Sequence, residues 1–411
     1  MSLKISRHIV PEQWMRAPET QKLFEILQGN IPPEEPQALF VGGCVRNVLL
    51  GKDIEDFDLA TPLLPEDVIQ ILEKEGIRVI PTGLQHGTVT AIIGEYKYEI
   101  TTLRRDVETD GRHAVVDYTP DWSVDAQRRD FTINTLLMDV QGNIYDPLQC
   151  GVDDLDRRCV RFVGDAKKRI EEDHLRILRF FRFSALYSDG FDEAGLKACE
   201  ENTHMIKSLS KERITQEVFK IMASDTPQDV IKTMFSYDVL KEFEFAEYDA
   251  GDFSALCRFQ KQYRLQALPS RLFAFSGFDF SNIKTMGKYI LFPKVFIKDM
   301  QAIDGALRLP DLSCDLAVRR SIYKFGRNIT AQVLMVELVQ DRVMNRYAPR
   351  ALELVQGWDI PTCPVNGGDI IKAGVEKGPK VGAVLEKIED DWIEQDFMPN
   401  RQELLNRIST V

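Results

Sequence analysis

The stretch that decides the fold is LFVGGCVRN at residues 39–47, which is followed by DFD at residues 56–58. An apolar, strand-forming run ends at the Gly42–Gly43 turn, and a helix is predicted to begin there. On a strand, Asp56 and Asp58 point to the same face, from which two carboxylates can reach a pair of divalent ions about 4 Å apart. A glycine turn lets backbone N–H groups approach a phosphate, and Arg46 can add positive charge to it. Each feature alone also fits a solvated strand end or an ordinary turn, but their combination indicates a site for metal and phosphate.

Residues 1–150 alternate between strand-like and helix-like segments around this stretch. The alternation predicts an α/β head that carries the metal site. Segment 104–122 is polar and acidic with few apolar anchors, and it predicts a mobile loop. The predicted strands are 38–41, 56–60, 88–93, 97–103, 135–140 and 144–145, and the predicted helices are 43–50 and 65–75.

After residue 150 the strand signals almost vanish and helical spacing dominates. The fold class predicted from this change is α+β, with a mixed-sheet head followed by an all-α remainder. Ser210 is a plausible N-cap for the helix that follows it. The predicted domains are the head at 1–150, a helical neck at 151–222 and body at 223–355, and a helical tail at 356–411. The predicted helices are 171–186, 211–223, 229–242, 293–307 and 314–340, with a last helical unit at 369–411.

The predicted helix 171–186 carries a charged ladder on an otherwise apolar surface. Asp173 and Arg176 are three residues apart and share a face, which Arg179 and Arg182 continue. Such a ladder also fits a solvated, salt-bridged face. Because apolar side chains occupy most of this helix, its charged face is expected to line something specific. Arg129 comes directly before an aspartate, an arrangement that suits phosphate or ribose contacts and equally a surface ion pair.

These motifs resemble, in order over residues 38–220, the class II tRNA nucleotidyltransferases (CCA-adding enzymes) and the related bacterial poly(A) polymerases. The segment from Gly374 to Gly382 also resembles the tail of bacterial members. One position departs from the family pattern, because Asn47 stands where the family usually has aspartate. The matching segments are GGxxR at 42–46, DxD at 56–58, HGT at 86–88, EITTLR at 99–104, RRDFTIN at 128–134, DP at 146–147, EDxxRxxR at 172–179 and KERI at 211–214.

The resemblance implies a head of the DNA polymerase β type that adds C, C and A to the 3′ end of tRNA from CTP and ATP, with Mg²⁺ as cofactor. It assigns the catalytic ions to Asp56 and Asp58. Glu99 fits the position of a base for the attacking 3′-hydroxyl, with Asp106 and Asp110 as alternatives. The nucleotide-binding residues that it implies are Gly42, Gly43, Arg46, Arg129, Asp173, Arg176, Arg179 and Arg182.

Base-edge chemistry explains why one Asp/Arg pair could read both nucleotides. Adenine and cytosine each present an amino donor beside a ring-nitrogen acceptor, which match a carboxylate and a guanidinium. Guanine and uracil present the reverse pattern and are refused. The resemblance gives this reading role to Asp173 and Arg176.

Charge and cysteine content indicate which compartment and which partners to expect. The 411 residues carry a net charge of −12, which argues mildly against an RNA partner. Segment 157–182, however, holds nine Lys or Arg against four acids, a local net charge of +5. Seven scattered cysteines without a C-x-x-C and an N-terminus without an apolar leader predict a cytoplasmic protein with no membrane partner. The sequence does not predict an oligomeric state.

Three alternatives stay open. A poly(A) polymerase is expected to carry a strongly basic C-terminal extension, whereas residues 386–396 are acidic. A partial enzyme would add only CC or only A. A catalytically silent RNA-binding protein on the same fold is disfavoured because Asp56 and Asp58 are both present.

Overall fold

The computed structural model describes residues 3–54, 56–109, 114–243, 248–265 and 267–408. Contacts divide the chain into two units, Met1–Glu242 and Phe243–Val411. The described strands all lie in the first unit, which is α+β, and the second is helical, so the predicted fold class is confirmed. The four-part domain division stays a prediction.

The first unit is built on a mixed sheet of eight strands in the order β1-β10-β9-β2-β3-β6-β5-β4. Among the described strands, only β3 and β6 pair in parallel, and this pair places two predicted site residues side by side. A separate hairpin pairs β7 with β8. The strands are β1 (Ile5–His8), β2 (Leu39–Val41), β3 (Phe57–Thr61), β4 (Arg78–Gly83), β5 (Thr88–Ile93), β6 (Tyr96–Thr102), β7 (Arg104–Thr109), β8 (Ala114–Tyr118), β9 (Leu137–Met138) and β10 (Asn143–Tyr145).

Helices cover the sheet and continue beyond it. Proline begins both α1 and α3, where its missing N–H has no helical partner to lose. The helices of this unit are α1 (Pro18–Gln28), α2 (Gly43–Leu49), α3 (Pro65–Lys74), α4 (Trp122–Gln127), α5 (Gly151–Asp156), α6 (Ala166–Glu172), α7 (Arg176–Tyr187), α8 (Glu193–Glu201), α9 (Lys211–Met222) and α10 (Pro227–Ser236), with short 3-10 helices at Leu84–His86, Thr132–Asn134 and Thr203–Ser208.

The second unit contains helices α11 to α19, and a 3-10 helix (Lys241–Phe243) lies at the boundary between the units. Its longest helix, α15, is interrupted at Gly326, whose φ of 82° is outside the helical range. None of the described helices is both long and apolar enough to cross a membrane. The helices are α11 (Ala250–Gln262), α12 (Leu268–Phe275), α13 (Phe280–Met286), α14 (Lys294–Ala306), α15 (Asp315–Val339), α16 (Ala348–Gly357), α17 (Gly367–Lys372), α18 (Pro379–Glu394) and α19 (Arg401–Ile408), with a 3-10 helix at Asn345–Tyr347.

Two predictions about elements were wrong. Segment 104–122 is not a loop, because most of it forms the β7–β8 hairpin, where Arg105 and Asp117 make an ion pair of 2.6 Å across the strands. Residues 110–113, with the alternative base Asp110, lie outside the described part of the chain. The predicted helix 171–186 is two helices. Asp173 is extended (φ −151°, ψ 105°), and its carboxylate accepts the Leu175 N–H, so the chain breaks between α6 and α7.

Candidate active site

Three carboxylates converge at the start of the parallel strand pair. Asp58 on β3 lies in register with Glu99 on β6, and Asp56 comes one residue before β3 begins. Burial raises the pKa of Asp58 to about 6, and the neighbouring charges of Glu99 and Asp56 add to the rise, while Arg129 opposes it. The site therefore concentrates negative charge that a divalent cation would offset.

The donor set fits such a cation in one particular way. Within the described residues, no group of three His, Cys, Asp or Glu side chains is arranged to hold a metal ion by itself. Mg²⁺ in nucleotide-processing sites is usually bound through one or two carboxylates plus substrate phosphates and water. Two carboxylates at a partly open site match that pattern, and Asp56 and Asp58 are the residues that would hold the ion.

The glycine turn at the end of β2 lies next to Arg129, one of the predicted nucleotide-binding residues. Gly42 has φ 69°, a left-handed conformation that favours glycine, and α2 begins at Gly43. A side chain at Gly42 would lie 3.6 Å from a guanidinium nitrogen of Arg129. The turn and Arg129 are therefore neighbours, although they are far apart in the sequence.

Arg46 is buried and held by neutral partners. It donates to Asn134 Oδ1 at 2.6 Å, to Asn47 Oδ1 at 3.0 Å and to Tyr187 Oη at 2.8 Å. Its guanidinium also lies 3.9 Å from the centroid of the Tyr187 ring. Asn47 additionally donates to the Asp53 carbonyl at 2.9 Å, a bond that the family's usual aspartate could not make. The departure at this position therefore has a defined structural role.

Asp125 is a site residue that sequence reasoning missed. This buried carboxylate accepts from Arg128 at 2.8 Å and from Arg129 at 2.9 Å. Burial would raise the pKa of Asp125, but Arg129 and Arg128 outweigh it and lower the pKa. The available signal was the i, i+3 and i, i+4 spacing of one acid before two arginines at the end of α4.

The predicted base-reading pair does not share one helix. Asp173 lies in the break between α6 and α7, and both its oxygens accept from Arg213 on α9, at 2.9 and 3.0 Å. Arg176 begins α7 and donates to Glu172 at 2.7 Å and to the Arg128 carbonyl at 2.9 Å. The two residues therefore lie on either side of the break, and each side chain is held by its own partners.

Arg179 and Arg182 pair with carboxylates of other elements. Arg179 donates to Asp130 at 2.8 Å, and Arg182 donates to Glu217 at 2.5 Å. Burial would raise the pKa of Asp130, but the charges of Arg179 and Arg176 and the hydrogen bonds from Asn134 and Arg179 together outweigh it and lower the pKa to about 2. The guanidiniums of Arg179, Arg182 and Arg46 all lie within 5.1 Å of the Phe183 ring centroid.

A cleft of about 450 Å³ collects part of the predicted site. Three lining residues were not predicted from the sequence: Tyr187, Lys220 and Ser224. They lie at the ends of α7 and α9, far along the chain from the glycine turn, and reach the cleft only through packing of these helices. The predicted site residues that do not line it are Gly42, Glu99, Arg129, Asp173, Arg176 and Arg179. The full set of lining residues is Gly43, Cys44, Arg46, Asn47, Asp53, Ile54, Asp56, Asp58, Arg182, Leu186, Tyr187, Lys220, Ala223 and Ser224.

Two family models match segments between residues 38 and 248, which lie mostly in the first unit. The one described as "Poly A polymerase head domain" matches residues 38–161. The one described as "Probable RNA and SrmB- binding site of polymerase A" matches residues 191–248. The first match contains the glycine turn and the three carboxylates, and the second contains α9.

Relatives match along nearly the whole chain. The chain is 33% identical to human mitochondrial CCA tRNA nucleotidyltransferase 1, over 98% of this chain and 95% of that protein. It is 30% identical to the CCA-adding enzyme of Streptococcus pneumoniae serotype 19F, over 93% of this chain and 96% of that protein. The structure is similar to that of the Bacillus stearothermophilus CCA-adding enzyme in complex with CTP, with a TM-score of 0.72, 26% identity and coverage of 96% and 98% of the two chains.

Proposed function

This chain belongs to the family of CCA-adding tRNA nucleotidyltransferases, and we propose that its reaction centre is built on Asp56 and Asp58. It is a nucleotidyltransferase that uses CTP and ATP to add C, C and A to the 3′ end of tRNA and releases pyrophosphate. The observation that carries the site proposal is the convergence of Asp56, Asp58 and Glu99, where the pKa of Asp58 is raised to about 6. This excess negative charge is suited to divalent cations, which the family uses, and we propose Mg²⁺ because the donors are carboxylate oxygens.

The chain's own residues have distinct roles in the proposed mechanism. When bound, two Mg²⁺ ions would offset charge on the phosphates and on the attacking 3′-hydroxyl. Asp56 and Asp58 hold and orient that centre, and Glu99, in register with Asp58, accepts the hydroxyl proton. Arg46 and Arg182 line the cleft beside these carboxylates and bind the triphosphate.

The base end of the nucleotide is assigned to the α6–α7 region. Asp173 accepts from the amino group of cytosine or adenine, and Arg176 donates to the ring nitrogen. Arg213 fixes the direction of the Asp173 carboxylate, and Glu172 fixes that of Arg176. Arg129, held by Asp125 against the Gly42 turn, completes the contacts to the nucleotide.

One product analysis tests the function. The protein is incubated with tRNA that ends at the discriminator base, with each nucleotide singly and with CTP plus ATP, and the product ends are sequenced. We expect CC with CTP and CCA with both. A run of A residues would instead indicate a poly(A) polymerase, and CC alone or A alone a partial enzyme.

A variant tests the metal assignment in the same assay. Asp56→Ala is expected to lose at least 1,000-fold in nucleotide addition and to keep its affinity for tRNA, because binding of the RNA does not need the reacting centre. The matched control is Asp67→Ala, which removes an exposed carboxylate of α3 and is expected to stay active. Wild-type activity in Asp56→Ala would refute the assignment.

We also propose that the protein works in the cytoplasm. All seven cysteines are free thiols, which suits a reducing compartment. Fractionation of the source cells with an antibody to the protein checks this, and recovery in an organelle would contradict it.

A further inference from the structure

Asn134 connects two parts of the nucleotide site through a single side chain. It ends the 3-10 helix Thr132–Asn134 and is 6% exposed. Its Oδ1 accepts from Arg46 at 2.6 Å, while its Nδ2 donates to Asp130 Oδ1 at 2.9 Å. The other oxygen of Asp130 accepts from Arg179 on α7 at 2.8 Å. A buried chain of hydrogen bonds therefore runs from Arg46 through Asn134 and Asp130 to Arg179.

The two neighbours of Asn134 make opposite demands on it. The Arg46 guanidinium needs an acceptor, and the Asp130 carboxylate, which is ionised because its pKa is about 2, needs a donor. An amide supplies both without carrying charge. A carboxylate at this position would satisfy Arg46 but would face the Asp130 carboxylate. An apolar side chain would remove the acceptor of Arg46 Nη1 and would leave Asp130 Oδ1 with only the Phe131 N–H.

The neutrality of the amide also has a consequence for Arg46. Among the described residues, no carboxylate forms an ion pair with Arg46, which donates instead to the oxygens of Asn134, Asn47 and Tyr187. Arg182, in contrast, is paired with Glu217, and Arg179 with Asp130. The guanidinium of Arg46 is therefore held by neutral acceptors rather than by an ion pair, and Asp130, on the far side of Asn134, also acts on its charge.

We propose that Asn134 is a positioning residue for nucleotide binding, which holds Arg46 toward the cleft with its charge available to the phosphates and ties it to Arg179. The proposal rests on the function proposed above, because it takes the triphosphate to be the anion that Arg46 meets. Asn134 itself is not a lining residue of the cleft, so it acts through Arg46.

The variant Asn134→Asp tests this, because it changes one donor to an acceptor at nearly constant size. We expect the KM for both CTP and ATP, and the Kd for CTP, to rise about tenfold or more, with the Kd for tRNA unchanged. The matched control is Asn202→Asp, which makes the same change at another buried amide, one that donates to the Ala198 carbonyl. If Asn134→Asp weakens CTP binding no more than Asn202→Asp, the proposal is wrong.

A double-mutant cycle shows whether Asn134 acts through Arg46. In an Arg46→Ala background, Asn134→Asp is expected to cause little further loss of CTP affinity, because the group that it orients is already absent. Full additivity of the two changes would overturn the proposal. Should Asn134→Asp fail to fold, Asn134→Ser, which is smaller and uncharged, replaces it in both measurements with the same expected direction.

These measurements separate the inference from the function. If the wild-type protein adds no nucleotides to tRNA, the proposed function is wrong. If the wild-type protein adds CCA and the Asn134 variants bind CTP as the wild type does, only the positioning role is wrong.

Discussion

At the scale of single residues, side chains of the proposed site are held in place by several hydrogen bonds each. Arg46 is fixed by Asn134, Asn47 and Tyr187, and Asp173 is held by Arg213 through two hydrogen bonds. Side chains oriented in advance lose less conformational entropy when a ligand binds, so such contacts favour selective binding. Selection between bases is accordingly expected to depend on these supporting residues as well as on the reading pair.

Asp173→Ala is expected to relax base choice. It removes the acceptor for the amino group of cytosine and adenine, and a good bidentate base contact contributes about 1–3 kcal/mol of discrimination. Incorporation of UTP and GTP relative to CTP should therefore rise about 5- to 150-fold in single-nucleotide addition assays.

The control for this prediction is Arg213→Ala. It removes the same ion pair but keeps the carboxylate at position 173, so its relaxation of base choice should be smaller. Unchanged refusal of UTP and GTP in Asp173→Ala would show that another group reads the base.

At the scale of secondary-structure elements, the positions of the predicted site residues depend on where helices and strands begin and end. The interruption between α6 and α7 leaves Asp173 extended, so that its carboxylate meets α9. The β7–β8 hairpin begins at Arg104, whose N–H donates to Asp125 at 3.3 Å and whose guanidinium donates to the His86 carbonyl. Asp125 therefore ties the hairpin to the arginines that precede Asp130.

Gly142→Ala is expected to destabilise the edge of the sheet. Gly142 has φ 86°, and a side chain there would overlap the Ile9 carbonyl, next to the 2.9 Å bond from Ile9 N–H to the Gly142 carbonyl. The left-handed conformation alone costs about 1–2 kcal/mol for a residue other than glycine, and the overlap adds to it. Thermal unfolding should show a lower Tm than the control Gly29→Ala, which has φ 53° and open space around it. Equal Tm values for the two variants would contradict this.

Because Glu337 in α15 is a buried carboxylate, we expect the stability of the second unit to depend on pH. It is fully buried, it accepts the Leu312 N–H at 2.8 Å, and Arg342 lies 3.7 Å away. Burial raises the pKa of Glu337 to about 7, and Asp311 adds to the rise while Arg342 opposes it. Because the folded-state pKa lies above the unfolded value, the stability that this group contributes is fully present below about pH 4.5 and is lost as the pH rises to about 7.

Glu337→Gln is expected to remove this dependence, which amounts to about 3 kcal/mol over that interval. The free energy of unfolding of the variant should therefore improve relative to the wild type as the pH is raised from 5 to 8. Urea unfolding of both proteins at several pH values measures this, and a difference that does not change with pH would refute the shifted pKa.

At the scale of the whole molecule, an acidic protein must bind a polyanion. The chain carries a net charge of −12, yet segment 157–182 carries +5 and includes Arg176, Arg179 and Arg182, three of the residues proposed to bind the nucleotide. Positive charge is thus concentrated in a segment to which contacts with the nucleotide are proposed. Non-specific attraction to RNA is weak for such a protein, so local contacts must supply the affinity.

Affinity for tRNA is expected to fall as salt is raised. Each phosphate contact releases condensed counterions, which lowers log K by about 0.7–0.9 for every unit of log salt concentration. Titrations of fluorescent tRNA between 50 and 200 mM KCl measure the slope, and CTP binding in the same buffers is the control for loss of the folded site. An affinity that does not depend on salt would contradict recognition through the phosphate backbone.

The sequence by itself determined the family, the sheet-containing head, the helical remainder and the residue types of the site. The chemistry requires carboxylates, glycines and arginines at short, fixed spacings, and such spacings are visible along the chain. Prediction of secondary structure from the sequence failed at segment 104–122 and at residues 173–175. Hydrogen bonds to other elements determine the conformation there, and the local sequence pattern does not show them.

Only the tertiary structure decided how the site residues are supported. Arg46 meets Asn134 across 88 residues of sequence, Arg179 meets Asp130 across 49, and Arg213 meets Asp173 across 40. No local periodicity specifies such pairs, because they form where separate elements pack together and buried polar groups must find partners. The glycine turn and Asp56–Asp58 can be recognised in the sequence. The chain of hydrogen bonds from Arg46 through Asn134 and Asp130 to Arg179 exists only in the folded protein.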